Sequence, residues 1–313
     1  RMNYRSVVKW WLMIGVFMIF MQVIIGGITR LTGSGLSITK WEIVTGTLPP
    51  MNAAGWEHEF DLYKATPQYQ KINEGMSMSD FKFIYFWEYF HRLWVRALGF
   101  IFLIPFVFFI LRKKIDFNLV KRLALVVFLT ILTASAGWIM VQSGLINRPW
   151  VNAYKLTIHF MLALFVIWAM VKTVADVYNF GTKKRIASNK IIPIIIGVTL
   201  VQMIFAGLMS GMRAGLYYPS WPDMNGEFVP SVLLDGKHWN WGNMINYDSY
   251  LFAPAFIQFT HRMLAYLLLV VTFYMFLKLK NQVVVFSKRW LNLTVALVLL
   301  QVLLGILTVL NVE

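Results

Sequence analysis

An all-α polytopic membrane protein made of two pseudo-twofold-related four-helix bundles is the fold this sequence predicts, and three observations predict it. Hydrophobic residues make up 58% of the chain and charged residues only 14%, against about 25% charged in a soluble domain. Seven apolar runs are each long enough to cross a bilayer, which takes about 20 helical residues. The connections alternate between short basic segments and longer segments rich in Gly, Pro and Trp.

The runs are Val7–Thr29, Phe81–Leu111, Leu119–Val141, Trp150–Val171, Ile191–Ser210, Phe252–Leu277 and Trp290–Val312. All are expected to be helices, because lipid offers the backbone no other hydrogen-bond partner. The second run holds Glu88, His91 and Arg92, the fourth Lys155 and His159, the sixth Gln258, His261 and Arg262. Leu31–Asp80 and Met212–Leu251 are long enough to cover a site.

One set of connections is short and basic. Arg1, Arg5 and Lys9; Arg112, Lys113, Lys114, Lys121 and Arg122; Lys172, Lys183, Lys184, Arg185 and Lys190; and Lys278, Lys280, Lys288 and Arg289 face only Asp116 and Asp176. The net charge of +15 therefore sits on one side of the membrane. By the positive-inside rule that side is the cytoplasm or the mitochondrial matrix. This placement argues for lipid contact and against nucleic acid. The chain has no cysteine, which excludes disulfides and thiolate metal sites.

An internal repeat organises the runs. Gln22, Gly27, Gly35, Leu36, Trp41 and Pro50 recur at an offset of 180 as Gln202, Gly207, Gly215, Leu216, Trp221 and Pro230. His91-Arg92 recurs as His261-Arg262, and Gly137 matches Gly305 of Gln301…Gly305. Residues 1–180 form one half and 181–313 the other, both running in the same direction, with a pseudo-twofold axis along the membrane normal. The second half holds three of its four expected helices. The chain starts at Arg1-Met2 without a cleavable signal pattern and stops directly after an apolar run. The expectation is that an eighth helix lies outside this sequence.

Charges inside a span are costly and mark functional candidates. His91 and His159 stand seven to nine residues from the outer ends of their runs, or roughly 10–14 Å deep. Two imidazoles at one depth suit the two axial positions of a haem. His261 has the same depth but no partner histidine in this sequence. Glu88 and His91 share a helix face. Glu88 is a candidate proton acceptor or charge stabiliser beside a substrate, or an ion-pair partner of Arg92. Arg92, Arg96 and Arg262 are candidates either for haem propionates or for backbone carbonyls, and Lys155 for an anionic group near the surface. His58 and His238 read as solvated loop residues. Gly26, Gly27, Gly137, Gly207 and Gly305 read as places of close helix approach. The second half has Gln258 where the first has Glu88. A reacting site benefits from an ionisable group, whereas an amide avoids the cost of a buried charge.

Four segments carry a family resemblance. They are Gly26-Gly27-Ile28-Thr29-Arg30-Leu31-Thr32-x-Ser34-Gly35-Leu36-Ser37 with Trp41; Phe81-Lys82-Phe83-Ile84-x-x-x-Glu88-Tyr89-x-His91-Arg92; Gly137-Trp138-x-Met140-Val141-x-Ser143-Gly144-Leu145; and Tyr217-Tyr218-Pro219-Ser220-Trp221-Pro222. From Trp10 to Asn311 the chain resembles the haem A synthases, in particular the cysteine-lacking subgroup of proteobacteria and mitochondria. The resemblance implies eight helices in two halves, and oxidation of the C8 methyl of haem O to a formyl group by successive hydroxylation and dehydration, for cytochrome oxidase maturation. It implies that His91 and His159 embrace haem O, the substrate, and later haem A, the product. Glu88 would be the carboxylate the reaction needs and His261 a ligand of haem b in the second half. Haem O synthase, cytochrome oxidase assembly factors and a second copy of the chain are the partners it suggests. A bacterial inner membrane with the N-terminus in the cytoplasm is the implied location, with the mitochondrial inner membrane as the alternative. The competing function is a b-type cytochrome subunit that transfers electrons without modifying its haem.

Overall fold

The computed structural model describes residues 4–40, 48–146, 148–178, 191–281 and 285–311. Trp41 and the basic residues Arg1, Lys183, Lys184, Arg185 and Lys190 lie outside the described residues. Within them are seven helices long and apolar enough to cross a membrane. The chain divides into two compact units, Arg1–Thr182 and Lys183–Glu313.

In the first unit the spanning helices are α1 (Tyr4–Leu31), α4 (Met78–Leu111), α5 (Phe117–Leu145) and α6 (Ala153–Val177), with α2 (Ala53–Lys64) and α3 (Pro67–Lys71) between α1 and α4. Side-chain oxygens set where these helices begin. Asn52 Oδ1 accepts from Gly55 N–H, and Thr66 precedes Pro67 at the first turn of α3. Ser77 caps α4, Asp116 caps α5 and Asn152 caps α6. The fourth span therefore begins at Ala153 rather than Trp150, because Asn152 accepts from the N–H groups of Tyr154 and Lys155. Gly33, at φ +66°, ends α1 in the left-handed conformation, and Ser34 N–H reaches back to Thr29 C=O. That is the Schellman way of satisfying the last carbonyls of a helix.

Helix α1 packs against α4 and α6, and α5 packs against α6. The apolar core fills only the end of this bundle that carries the basic connections. It runs from Val8 to Ile19 on α1, Leu98 to Phe109 on α4, Leu123 and Val126 on α5, and Val166 to Val174 on α6. Trp11 stacks on Phe102 and meets Phe109 edge-on, and its indole N–H donates to Ile101 C=O. A second core lies at the opposite end, where Phe60 and Tyr63 of α2 pack on Phe81, Ile84 and Tyr85 of α4. The first turns of α4 are thus covered by the connecting helices. The Tyr63 hydroxyl, whose pKa burial pushes up, donates to Gln68 Oε1 and accepts from Asn73. Gln68 in turn donates to Gly33 C=O, which fastens α3 to the end of α1.

The second unit contains α7 (Ile191–Met212), α8 (Trp241–Ile245), α9 (Phe252–Leu279) and α10 (Val285–Leu310), with short 3-10 turns at 214–216, 231–233 and 236–238. Helix α9 packs on both α7 and α10. Arg213, which follows α7, adopts φ 52°, so the two first helices of the repeat end on left-handed residues 180 positions apart.

Candidate functional site

His91 lies in the fourth turn of α4 and His159 in the second turn of α6. The helix ends do not set the two rings at one depth, because α4 begins well before His91, in the connecting-helix core. Each histidine stands seven residues before the first buried residue that its own helix gives the larger core, Leu98 on α4 and Val166 on α6. A glycine faces each ring. A Cβ on Gly26 of α1 would stand 3.2 Å from His91 Nε2, and one on Gly137 of α5 would stand 2.9 Å from His159 Cε1. By contrast, a Cβ on Gly27 or Gly305 would meet nothing within 4 Å. Gly26 and Gly137 therefore make room for imidazoles rather than for a neighbouring backbone.

His159 Nδ1 lies 2.9 Å from Thr133 C=O. A carbonyl can only accept, so Nδ1 carries the proton and Nε2 keeps its lone pair. This is how a metal-binding histidine is oriented by its outer partner. Gln22 of α1 donates to the His91 carbonyl at 3.3 Å, which ties α1 to α4 at the histidine level.

Glu88, one turn before His91, is 3% exposed. Its Oε1 is 2.5 Å from Arg92, and its Oε2 accepts from Ser37 Oγ at 2.7 Å and Ile38 N–H at 2.8 Å. Arg92 also donates to the carbonyls of Ile38 and Lys40. Together the two side chains clamp the segment that follows α1. A buried carboxylate is tolerated when it is paired and hydrogen-bonded in this way.

The second unit repeats the clamp with different chemistry. Gln258, 0% exposed, donates to Tyr218 C=O at 2.9 Å. Arg262 donates to the carbonyls of Tyr218, Ser220 and Asp223. Tyr218 and Ser220 are the positions 180 beyond Ile38 and Lys40. Asp223, which holds this turn together, has its carboxyl kept below the usual range, chiefly by the Ser220 hydroxyl at 2.6 Å. Both Arg92 and Arg262 thus serve backbone carbonyls. Beside the clamp, Gln202 Nε2 is 3.2 Å from His261 Nε2, while His261 Nδ1 and Gln202 Oε1 are buried without a partner among the described residues. With the amide oxygen turned to an Nε2–H, Nδ1 keeps a bare lone pair that a metal would satisfy; with the amide N–H turned to Nε2, Nδ1 carries the proton and takes no metal.

Of the other candidates, Lys155 lies one turn before His159 on α6, and Arg96 lies beyond His91 on α4. His58 and His238 are exposed. Sequence reasoning missed Ser37 and Thr133, whose signal is only that of ordinary helix-end and in-helix hydroxyls. It noticed the Gln22/Gln202 pair as a repeat marker but not as a histidine contact.

Residues 9–312 match the COX15-CtaA family, described as cytochrome oxidase assembly protein. The chain belongs to this family. Among its COX15-CtaA relatives, the heme A synthase of Flavobacterium psychrophilum is 37% identical over 315 residues, covering 98% of this chain and 90% of that protein. The heme A synthase of Parvibaculum lavamentivorans is 42% identical over 269 residues, covering 85% and 76%. That of Bradyrhizobium diazoefficiens is 40% identical over 315 residues, covering 98% and 84%. No solved structure matches the chain. A bundle with paired histidines and glycine-lined imidazoles fits a haem-handling member of the COX15-CtaA family.

Proposed function

We propose that this chain is a membrane oxidoreductase with heme A synthase activity, converting the C8 methyl of haem O to a formyl group. In net terms the methyl group and one water become the formyl group, with four protons and four electrons passing to an external electron acceptor; two hydroxylation stages give a diol, which loses water. The observation that carries the reading is the histidine pair of the first unit. Each ring has a glycine opposite it, and the Thr133 carbonyl holds the proton of His159 on Nδ1, which leaves the lone pair on Nε2 for a metal.

In this reading the first unit binds haem O between His91 and His159, and the second unit holds haem b through His261. Haem b would supply a route for electrons. The chain's own residues do the rest. Thr133 fixes the tautomer of His159. Glu88, one turn from His91, places a negative charge beside the substrate and holds residues 37–40 over that end of the bundle. Three donors already point at its two oxygens, so its geometry suits a fixed charge better than a mobile proton acceptor. Gln258 gives the second unit the same loop contact without the charge. In this reading the N-terminus lies in the cytoplasm of a bacterial inner membrane, an orientation that the basic connections support.

The test is the haem extracted from cells that make haem O and carry this protein as their one source of formyl-bearing haem. The wild type should yield formyl-bearing haem, and His91→Ala should yield none at equal protein level. Haem b alone from the wild type would favour an electron-carrying cytochrome, and normal product from His91→Ala would remove His91 from the site.

A further inference from the structure

At the end of the first unit opposite the clamp, between α1, the α4–α5 turn and α6, lies a cavity of about 520 Å³. This is within the roughly 300–1,000 Å³ range of ligand sites. Its rim carries Arg5, Lys114 and Arg122. Its floor is apolar, made by Val8, Ile115, Leu119 and Val177. Two carboxylates also line it, so its lining carries a single net positive charge. Asp116 caps α5 by accepting from Leu119 N–H at 2.7 Å, and Asp176 pairs with Arg122. The cations are placed by the backbone. Lys113 adopts φ 50°, and Lys114 N–H bonds back to Phe109 C=O at 2.9 Å, so the helix-ending turn sets Lys114 at the rim.

We propose that this cavity binds an anionic phospholipid, with the phosphate among Arg5, Lys114 and Arg122 and the glycerol and upper acyl carbons on the apolar floor. Free phosphate shares the cationic rim but gains nothing from the floor, which is why the lipid is the better occupant. The cavity opens on the side that carries the basic connections. That is the side where anionic headgroups attract Lys and Arg and where basic pockets between spans hold lipid head groups. The site is independent of the haem chemistry.

The test uses the full-length protein in bilayer nanodiscs of equal parts phosphatidylglycerol and phosphatidylcholine, released into the gas phase for native mass spectrometry. The wild type should retain phosphatidylglycerol in preference, and excess inorganic phosphate should not displace it. Arg5→Gln with Lys114→Gln should lower that preference about thirtyfold, given about 1 kcal/mol for each cation near an anionic surface. Asn118→Asp adds an acidic group to the first turn of α5, which suits the helix dipole, and should also weaken retention without harming the fold. Lys278→Gln with Lys280→Gln, in the other unit, should leave the preference unchanged. Equal retention of both lipids by the wild type, displacement by phosphate, or an equal loss in the Lys278/Lys280 variant would each overturn the proposal.

Discussion

Of the two glycines that face an imidazole, Gly137 leaves less room for a side chain than Gly26, and that has a direct consequence. Adding one methyl at Gly137 puts a carbon 2.9 Å from the imidazole, so the ring must move and its bond to Thr133 C=O is lost. Such overpacking costs about 1–3 kcal/mol. Gly137→Ala should therefore lower haem content per protein in the first unit while the helical content, read by circular dichroism, stays the same. Unchanged haem content would show that the ring is not held where a haem needs it. Ser37 is the second residue with a specific cost. Ser37→Ala removes one hydrogen bond to a buried charged group, worth about 1.5–3 kcal/mol. It should lower the thermal midpoint of the protein, and Ser37→Thr, which keeps the hydroxyl, should restore part of the loss. The alanine variant melting with the wild type would mean that Ser37 does not hold Glu88.

At the scale of elements, α4 and α9 each present the same two-turn device to the segment that follows the preceding span. In both, an arginine donates to carbonyls two residues apart, and a residue one turn earlier completes the contact. Lys cannot reproduce the planar fork of Arg. Arg262→Lys should speed amide hydrogen exchange of residues 218–226 by the loss of about 1–3 kcal/mol of local stability, with little change in the apolar spans. No change in exchange there would mean that the clamp does not order the turn. The repeat that contains this device was legible in the sequence as His91-Arg92 and His261-Arg262. Its purpose was not, because one-dimensional spacing shows which residues recur but not which backbone carbonyls they reach. The glycines failed for a related reason. Gly26 and Gly137 look the same in sequence as Gly27 and Gly305, yet only the first two have an imidazole opposite, and helix rotation decides that.

For the molecule as a whole, lipid forces the backbone into helices, so the seven spans could be read from apolar length to within a few residues. Departures came from polar chemistry at the ends. Asn152 delays α6, and Ser77, which accepts from Asp80 N–H, starts α4 three residues before Phe81. Topology is testable because the chain has no cysteine. A cysteine placed at Lys113 should react with a membrane-impermeant maleimide only after the membrane is opened, and one placed at Asn225 should react in intact cells. The reverse pattern would invert the topology.

In the proposed function the first unit is the reacting one, and the charge of Glu88 distinguishes it from the second, where Gln258 stands. Glu88→Gln gives the first unit the second unit's side chain at the same position in the repeat. The deciding measurement is the ratio of formyl-bearing to methyl-bearing haem extracted from membranes with this variant, set against total haem per protein. Total haem should be retained and the formyl-bearing fraction should collapse. A normal formyl-bearing fraction would contradict this role, leaving Glu88 as a clamp for residues 37–40 and nothing more.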